Sequence, residues 1–159
     1  MPNLDGARLT GYSASWKEAV AASRVADLTI VLDAELDDAD VAALGGTTVV
    51  IGTIDDDRLP RAALLLPTTN MAEENGTYVN RDHRVQRYFQ AKPAPGMARP
   101  AWWIAAEATQ IARGLNSPQT AADAFAALGS SVPELAGLCY ADLGHTGRVV
   151  SPATAGAAR

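Results

Sequence analysis

Two adjacent carboxylates, Glu73 and Glu74, stand shortly after an apolar run that ends at Pro67, and four arginines, Arg81, Arg84, Arg87 and Arg99, follow in the same polar stretch. Carboxylates just beyond a strand end are where α/β proteins often place functional groups, and a pair aimed at one substrate can do general acid and base work. Neighbouring side chains in a loop normally point apart, so the preferred reading of both is solvation or structural hydrogen bonding. Arginine forks pair bidentately with carboxylate or phosphate. The arginines therefore read equally well as a solvated charged loop and as a means of fixing that loop to a partner domain or an anionic cofactor.

The remaining chemistry-bearing residues are weaker candidates. His83 lies between Asp82 and Arg84, His145 is far from it, and neither sits in a metal-ligand spacing pattern. Cys139, the single cysteine, lies between Leu138 and Tyr140 with no base nearby in sequence and reads as buried filler. One cysteine excludes a disulfide framework and any Cys-rich zinc or iron-sulfur pattern within the chain. Gly45-Gly46-Thr47-Thr48 follows a helix and precedes a strand, the reverse of a dinucleotide loop, so it reads as a helix cap. Trp102 and Trp103 fall at a helix start, where packing is preferred over ligand stacking, one ring in the core and the other over the loop. No catalytic residue and no metal ligand is assigned.

The elements that must position these residues follow from periodicity. A capping-box pattern at Ser15-Trp-Lys-Glu18 opens a helix that runs to about residue 25, the end of an N-terminal lead-in over 1–26. DLTIVLD, at 27–33, reads as a strand buried on both faces. Asp37 or Asp38 can cap a short helix through Val41 and Leu44, and TTVVIGT at 47–53 re-enters strand, giving a parallel βαβ unit. A third strand, AALLLP, closes the unit 27–67 at Pro67. Residues 68–99 have no sustained period and read as one long loop, uncommon unless it has a job. Pro100 begins a helix that carries Trp103, Ile104, Ala108 and Ile111 inward and ends near Gly114. Ser117-Pro118 starts another, with Ala121, Phe125 and Leu128 on one face and Gly129 closing it. Short turns follow at Pro133 and at 140–143 and complete a helical region over 100–147. The tail 148–159 is expected to be disordered.

Composition agrees with an α/β domain. The 159 residues are 48% hydrophobic but only 6% aromatic, so Val, Ile, Leu and Ala must fill a core between helices and a small parallel sheet. A net charge of −5 leaves no basic face for a phosphate backbone, and nucleic acid is not an expected partner. No window reaches the ~20 apolar residues of a membrane span, so no direct membrane insertion is expected.

The polar stretch also carries a resemblance. Leu66-Pro67, Ala72-Glu73, Gly76-Thr77-Tyr78, Asn80, Arg84-Val85-Gln86-Arg87, Gly96, Ala98-Arg99-Pro100 and Trp102-Trp103 together resemble the segment that closes the third domain of the molybdopterin oxidoreductase family. Two branches of that family share it: catalytic subunits such as formate dehydrogenase, which bind molybdopterin guanine dinucleotide, and the large iron-sulfur subunit of NADH-quinone oxidoreductase, respiratory complex I. The ending AADAFAALGSSVPELAGLCYADLG is similar to the helical end of that large iron-sulfur subunit. Asn80-Arg-Asp-His-Arg84 and Arg61-Ala-Ala-Leu64 depart from the commoner family pattern.

The resemblance implies a partial Rossmann-like layer and, for the complex I branch, a non-catalytic C-terminal part that supports assembly of the peripheral arm. No cofactor is then expected in this chain; iron-sulfur clusters lie elsewhere in the parent subunit. Partners are other domains or subunits of the NADH-quinone oxidoreductase, in the cytoplasm and peripheral to the inner membrane. Glu73, Gly76, Thr77, Asn80, Arg84, Gln86, Arg87 and Arg99 are expected to form a loop clasp or interface, with a glycine-permitted turn at Gly76. In the formate dehydrogenase branch, Asn80, Arg84 and Gln86 would be pterin contacts. A free-standing protein-interaction module is the third alternative.

Overall fold

The computed structural model describes residues 3–12, 15–32, 38–53 and 62–150. After a short helix α1 (Leu4–Leu9), which the periodicity did not indicate, comes α2 (Trp16–Ser23). Its N-cap is Ser15, whose Oγ accepts from the Glu18 amide at 3.3 Å, so the capping residue read from the sequence is in place.

Three β-branched or leucine-rich runs form β1 (Leu28–Leu32), β2 (Thr47–Gly52) and β3 (Leu64–Pro67), a parallel sheet in the order β1-β2-β3. Helix α3 (Asp38–Ala43) lies in sequence between β1 and β2. The mixed α/β class with a small parallel sheet holds. Asp37 and the turn IDDDRLPR, apart from Ala62 onward, lie outside the described residues. Gly46 has φ +70 at the entry to β2, and a Cβ there would stand 2.4 Å from the Ala26 carbonyl oxygen, so the site needs glycine twice over.

Burial of β1 differs from expectation. Leu28, Ile30 and Leu32 are 52%, 57% and 57% exposed, whereas Thr48 and Val50 of the central strand are buried. The register pairs Leu28, Ile30 and Leu32 with Thr47, Val49 and Ile51, placing the three β1 residues on one side of an edge strand. A continuous apolar run is written for two covered faces, and the described residues cover only one of them at β1.

The segment 68–99 is not one loop. It contains β4 (Gly76–Val79) and β5 (Arg84–Tyr88), which pair antiparallel, and β6 (Arg148–Val149) adds to β5 in a second sheet of order β4-β5-β6. Residues 148 and 149 therefore belong to the sheet, and Val150 is buried with its amide bonded to the His83 carbonyl at 2.9 Å. The rest of the expected disordered tail, 151–159, lies outside the described residues. The hairpin strands have no clear signal in the sequence because they are short and the face that carries Val79 and Val85 also carries Thr77 and Arg87. Only Val79 and Val85 mark the inner face.

The main hydrophobic cluster lies on this second sheet: Val79, Val85, Phe125, Val132, Leu135, Leu143 and Val150, with Leu9, Leu138 and Tyr140 against it. Helix α4 (Ala101–Arg113) buries no residue fully; Ile111, expected inward, is 84% exposed and Ala108 is exposed too. It does end at Gly114, whose φ of 66 gives the left-handed cap. Helix α5 (Ala121–Ser131) starts later than Ser117-Pro118 suggested, because Thr120 and Asp123 form a reciprocal capping box, and it runs past Gly129. Two 3-10 turns, Pro133–Leu135 and Tyr140–Leu143, follow where short turns were read.

Phe125 is 2% exposed and fills the centre of this cluster. Phe125→Ala should therefore cost ~3–5 kcal/mol in urea unfolding, as large-to-small core changes do. Ile111→Ala, on the bare face of α4, should shift stability by no more than ~0.5 kcal/mol.

Candidate functional site

The residues immediately after β3 are organised by side chains that bond back to the backbone. Asn70 Oδ1 accepts from the Ala72 amide at 2.9 Å, an Asx turn that reverses the chain. Glu73 closes the same turn: its Oε2 accepts from the Asn70 amide at 3.1 Å, and its Oε1 meets Lys92 Nζ at 2.9 Å. Glu73 is only 7% exposed. Lys92, donating a hydrogen bond, and then the Asn70 amide hold its carboxyl below the ordinary carboxylate value.

Glu74 faces a different set of partners. Its Oε1 accepts from the Tyr88 hydroxyl at 2.7 Å and its Oε2 from the Thr69 hydroxyl. Burial, followed by the hydrogen bond to Glu74, raises the Tyr88 phenol well above its ordinary value, so it stays a neutral donor. The two carboxylates point apart, as neighbours in a loop should, and each carboxylate oxygen has a partner within the chain. They join the end of β3 to the far end of the hairpin.

Backbone bonds complete this junction. The Ala91 and Lys92 amides both donate to the Ala72 carbonyl, at 2.8 and 2.9 Å. Asn75 Oδ1 accepts from the Gln90 amide at 3.0 Å, and the Asn75 carbonyl accepts from Trp102 Nε1 at 3.3 Å. Thr68 Oγ1 and the Thr69 amide both reach the Arg99 carbonyl, at 2.9 and 3.2 Å. Arg99 thus contributes its main chain here; its Nη1 bonds to the Ala98 carbonyl at 2.9 Å.

Gly76 is needed for space. It opens β4 and is buried, and a Cβ on it would lie 2.3 Å from the Tyr88 hydroxyl oxygen. The expected turn at Gly76 is therefore corrected to a strand position across which the Tyr88 ring lies. Thr77 stands opposite Arg87 in the same ladder.

The other resemblance residues build the hairpin tip and its attachment. Asn80 Oδ1 accepts from the amides of Asp82 and Arg84, at 2.9 and 3.0 Å, while its Nδ2 donates to Gln86 Oε1 at 3.4 Å. This holds His83 at φ 55 in the tip, where Arg81 is exposed. Arg84 Nη1 approaches the Thr146 and Gly147 carbonyls at 3.3 and 3.5 Å. Arg87 Nε donates to the Gly144 carbonyl at 2.9 Å. Of the residues named as pterin contacts, the Asn80 side chain bonds within its own turn and to Gln86, and one Arg84 nitrogen faces the Thr146 and Gly147 carbonyls.

His83 Nδ1 lies 3.5 Å from Asp5 Oδ2, and among the described residues no group of three metal-ligating side chains is gathered. Cys139 is exposed, contrary to the buried reading, because it caps the 3-10 turn that follows; its amide donates to Asp142 Oδ2 at 3.2 Å. Sequence reasoning missed Thr69, Asn70, Asn75, Tyr88 and Lys92. The Asn70-x-x-Glu73 spacing was a usable signal for the Asx turn, whereas the partnership of Glu74 with Tyr88 depends on hairpin register and has no local signature.

A family model described as molybdopterin oxidoreductase matches residues 5–109. The chain is 38% identical over 80 residues, 50% of its length, to a putative formate dehydrogenase of Bacillus subtilis, of which it covers 8%. It is 36% identical over 89 residues, 54% of its length, to the alpha chain of an F420-dependent formate dehydrogenase of Methanococcus maripaludis, of which it covers 13%. An iodate reductase subunit of Denitromonas iodatirespirans is 39% identical over 49 residues, 31% of this chain and 5% of that protein. The chain thus spans only a small fraction of the curated relatives it matches.

The Glu73 interaction has a definite pH signature. Its carboxyl titrates below the ordinary 4.5 in the folded chain, so its stabilising contribution is complete above that value and is lost as pH falls through the lower folded value. Thermal melts of the wild type and Glu73→Gln should differ most near neutrality and converge in acid. A difference that grows as pH falls would contradict the Lys92 pairing.

Proposed function

Because the chain belongs to the molybdopterin oxidoreductase family, we propose that it is part of the large subunit of a formate dehydrogenase-like oxidoreductase, in which it shapes the polypeptide and carries no chemical step. The observation that carries this reading is the combination of two formate dehydrogenase relatives, each matching about half the chain, with a junction whose carboxylates are all engaged internally. The junction fixes the point where the parallel sheet hands over to the hairpin. Residues elsewhere in the subunit would hold the molybdopterin cofactor and any iron-sulfur clusters, and its partners are other domains or subunits of the same enzyme. Among the described residues no helix is long and apolar enough to cross a membrane.

A second reading is the non-catalytic end of the large iron-sulfur subunit of NADH-quinone oxidoreductase. One observation favours it: the segment 121–144, which resembles that subunit's ending, lies beyond the family match and supplies Phe125, Leu135 and Leu143 to the main core. The formate dehydrogenase reading is preferred because the relatives that match about half of the chain carry that name.

The parent subunit, purified without oxygen, separates the two. Elemental analysis should find molybdenum or tungsten in stoichiometric amount, and acid oxidation should release a fluorescent pterin. Intact iron-sulfur spectra with neither metal nor pterin would overturn the formate dehydrogenase reading in favour of the second.

A further inference from the structure

Arg87 differs from Arg84 and Arg99 in how its guanidinium is used. Arg84 and Arg99 turn a terminal nitrogen to backbone carbonyls, but Arg87 uses only Nε, on the Gly144 carbonyl at 2.9 Å. Among the described residues neither of its Nη nitrogens meets an acceptor and no carboxylate pairs with it. The guanidinium is also held in place. Its central carbon lies 4.8 Å from the Phe89 ring centroid and 5.7 Å from that of Tyr140. Tyr140 is itself fixed edge-on against buried Phe125, with centroids 6.2 Å apart. The Phe89 ring is 53% exposed, so this aromatic wall opens to the surface.

A second unsatisfied group sits beside the first. The Tyr140 hydroxyl is buried, and among the described residues it has no hydrogen-bond partner. A buried hydroxyl without an acceptor is costly unless something completes it, while the part-exposed Arg87 can present its free Nη donors to an incoming group.

We propose that Arg87, Phe89 and Tyr140 form a receptor for a side-chain carboxylate, an Asp or Glu brought by an adjoining segment of the assembled oxidoreductase. Two parallel Nη donors match the two oxygens of a planar carboxylate, and the aromatic walls accommodate its methylene stem. The source of the carboxylate rests on the proposed oxidoreductase assembly; the receptor itself does not, and its test needs neither molybdenum nor partner subunits.

That test is an NMR titration of the full 159-residue chain at constant ionic strength, following the Phe89 and Gly144 amides. The probes are sodium acetate, N-acetylglutamate, inorganic phosphate and sodium chloride. The two carboxylates should give saturable shifts and chloride none. Arg87→Gln should weaken binding roughly tenfold or more, the scale of a lost bidentate pair. Phe89→Leu, at a half-exposed ring, should weaken it roughly threefold while keeping a cooperative melt. An unsaturable response, an equal response to chloride, or tighter binding of phosphate than of carboxylate overturns the assignment. So does unchanged affinity in a folded Arg87→Gln chain; if that variant fails to fold, unchanged affinity in Phe89→Leu does the same.

Discussion

The back-to-back placement of Glu73 and Glu74 is the constraint on which the rest of the chain depends. Consecutive side chains that leave the backbone in different directions can hold two different pieces of structure. Glu73 holds the turn after β3 and Lys92; Glu74 holds Thr69 and the Tyr88 ring at the end of the hairpin. A buried carboxylate is tolerated only when paired and hydrogen-bonded, and both conditions are met at Glu73. The same arrangement requires glycine at position 76, because Tyr88 occupies the space a side chain would take.

On one side of this junction lies a parallel sheet that is incompletely covered, and on the other an antiparallel sheet with most of the core. β1 leaves Leu28, Ile30 and Leu32 largely in solvent, and α4 leaves Ile111 bare. Phe125, Val85 and Leu143 are buried to within 2% beneath the hairpin. Among the described residues the second half of the chain carries most of the buried core, and the first half leaves one face of β1 exposed.

The parallel sheet was legible in the sequence because its strands are continuous β-branched or leucine-rich runs, and the family resemblance was legible because its residues cluster between Leu66 and Trp103. The hairpin was not, since Arg87 and Thr77 share a face with Val85 and Val79 and break the apolar alternation in two short strands. Cys139 misled for a related reason: an apolar neighbourhood suggested burial, but capping of a 3-10 turn put the residue outside. The clasp residues named from resemblance lie in the junction or along the hairpin. Their partners, Tyr88 and Lys92 above all, are set by register between strands and loops distant in sequence, which periodicity does not encode.

The central claim is that residues 70–92 behave as one folded unit with the core beneath them. Native-state hydrogen exchange measures this directly, because the amides of Asn70, Arg84, Ala91 and Lys92 are all donors in the junction or the hairpin tip. Their opening free energies should match those of core amides such as Val85 and Val132, with a common denaturant dependence. Exchange at the rate of an exposed loop, while Val85 and Val132 stay protected, would contradict it.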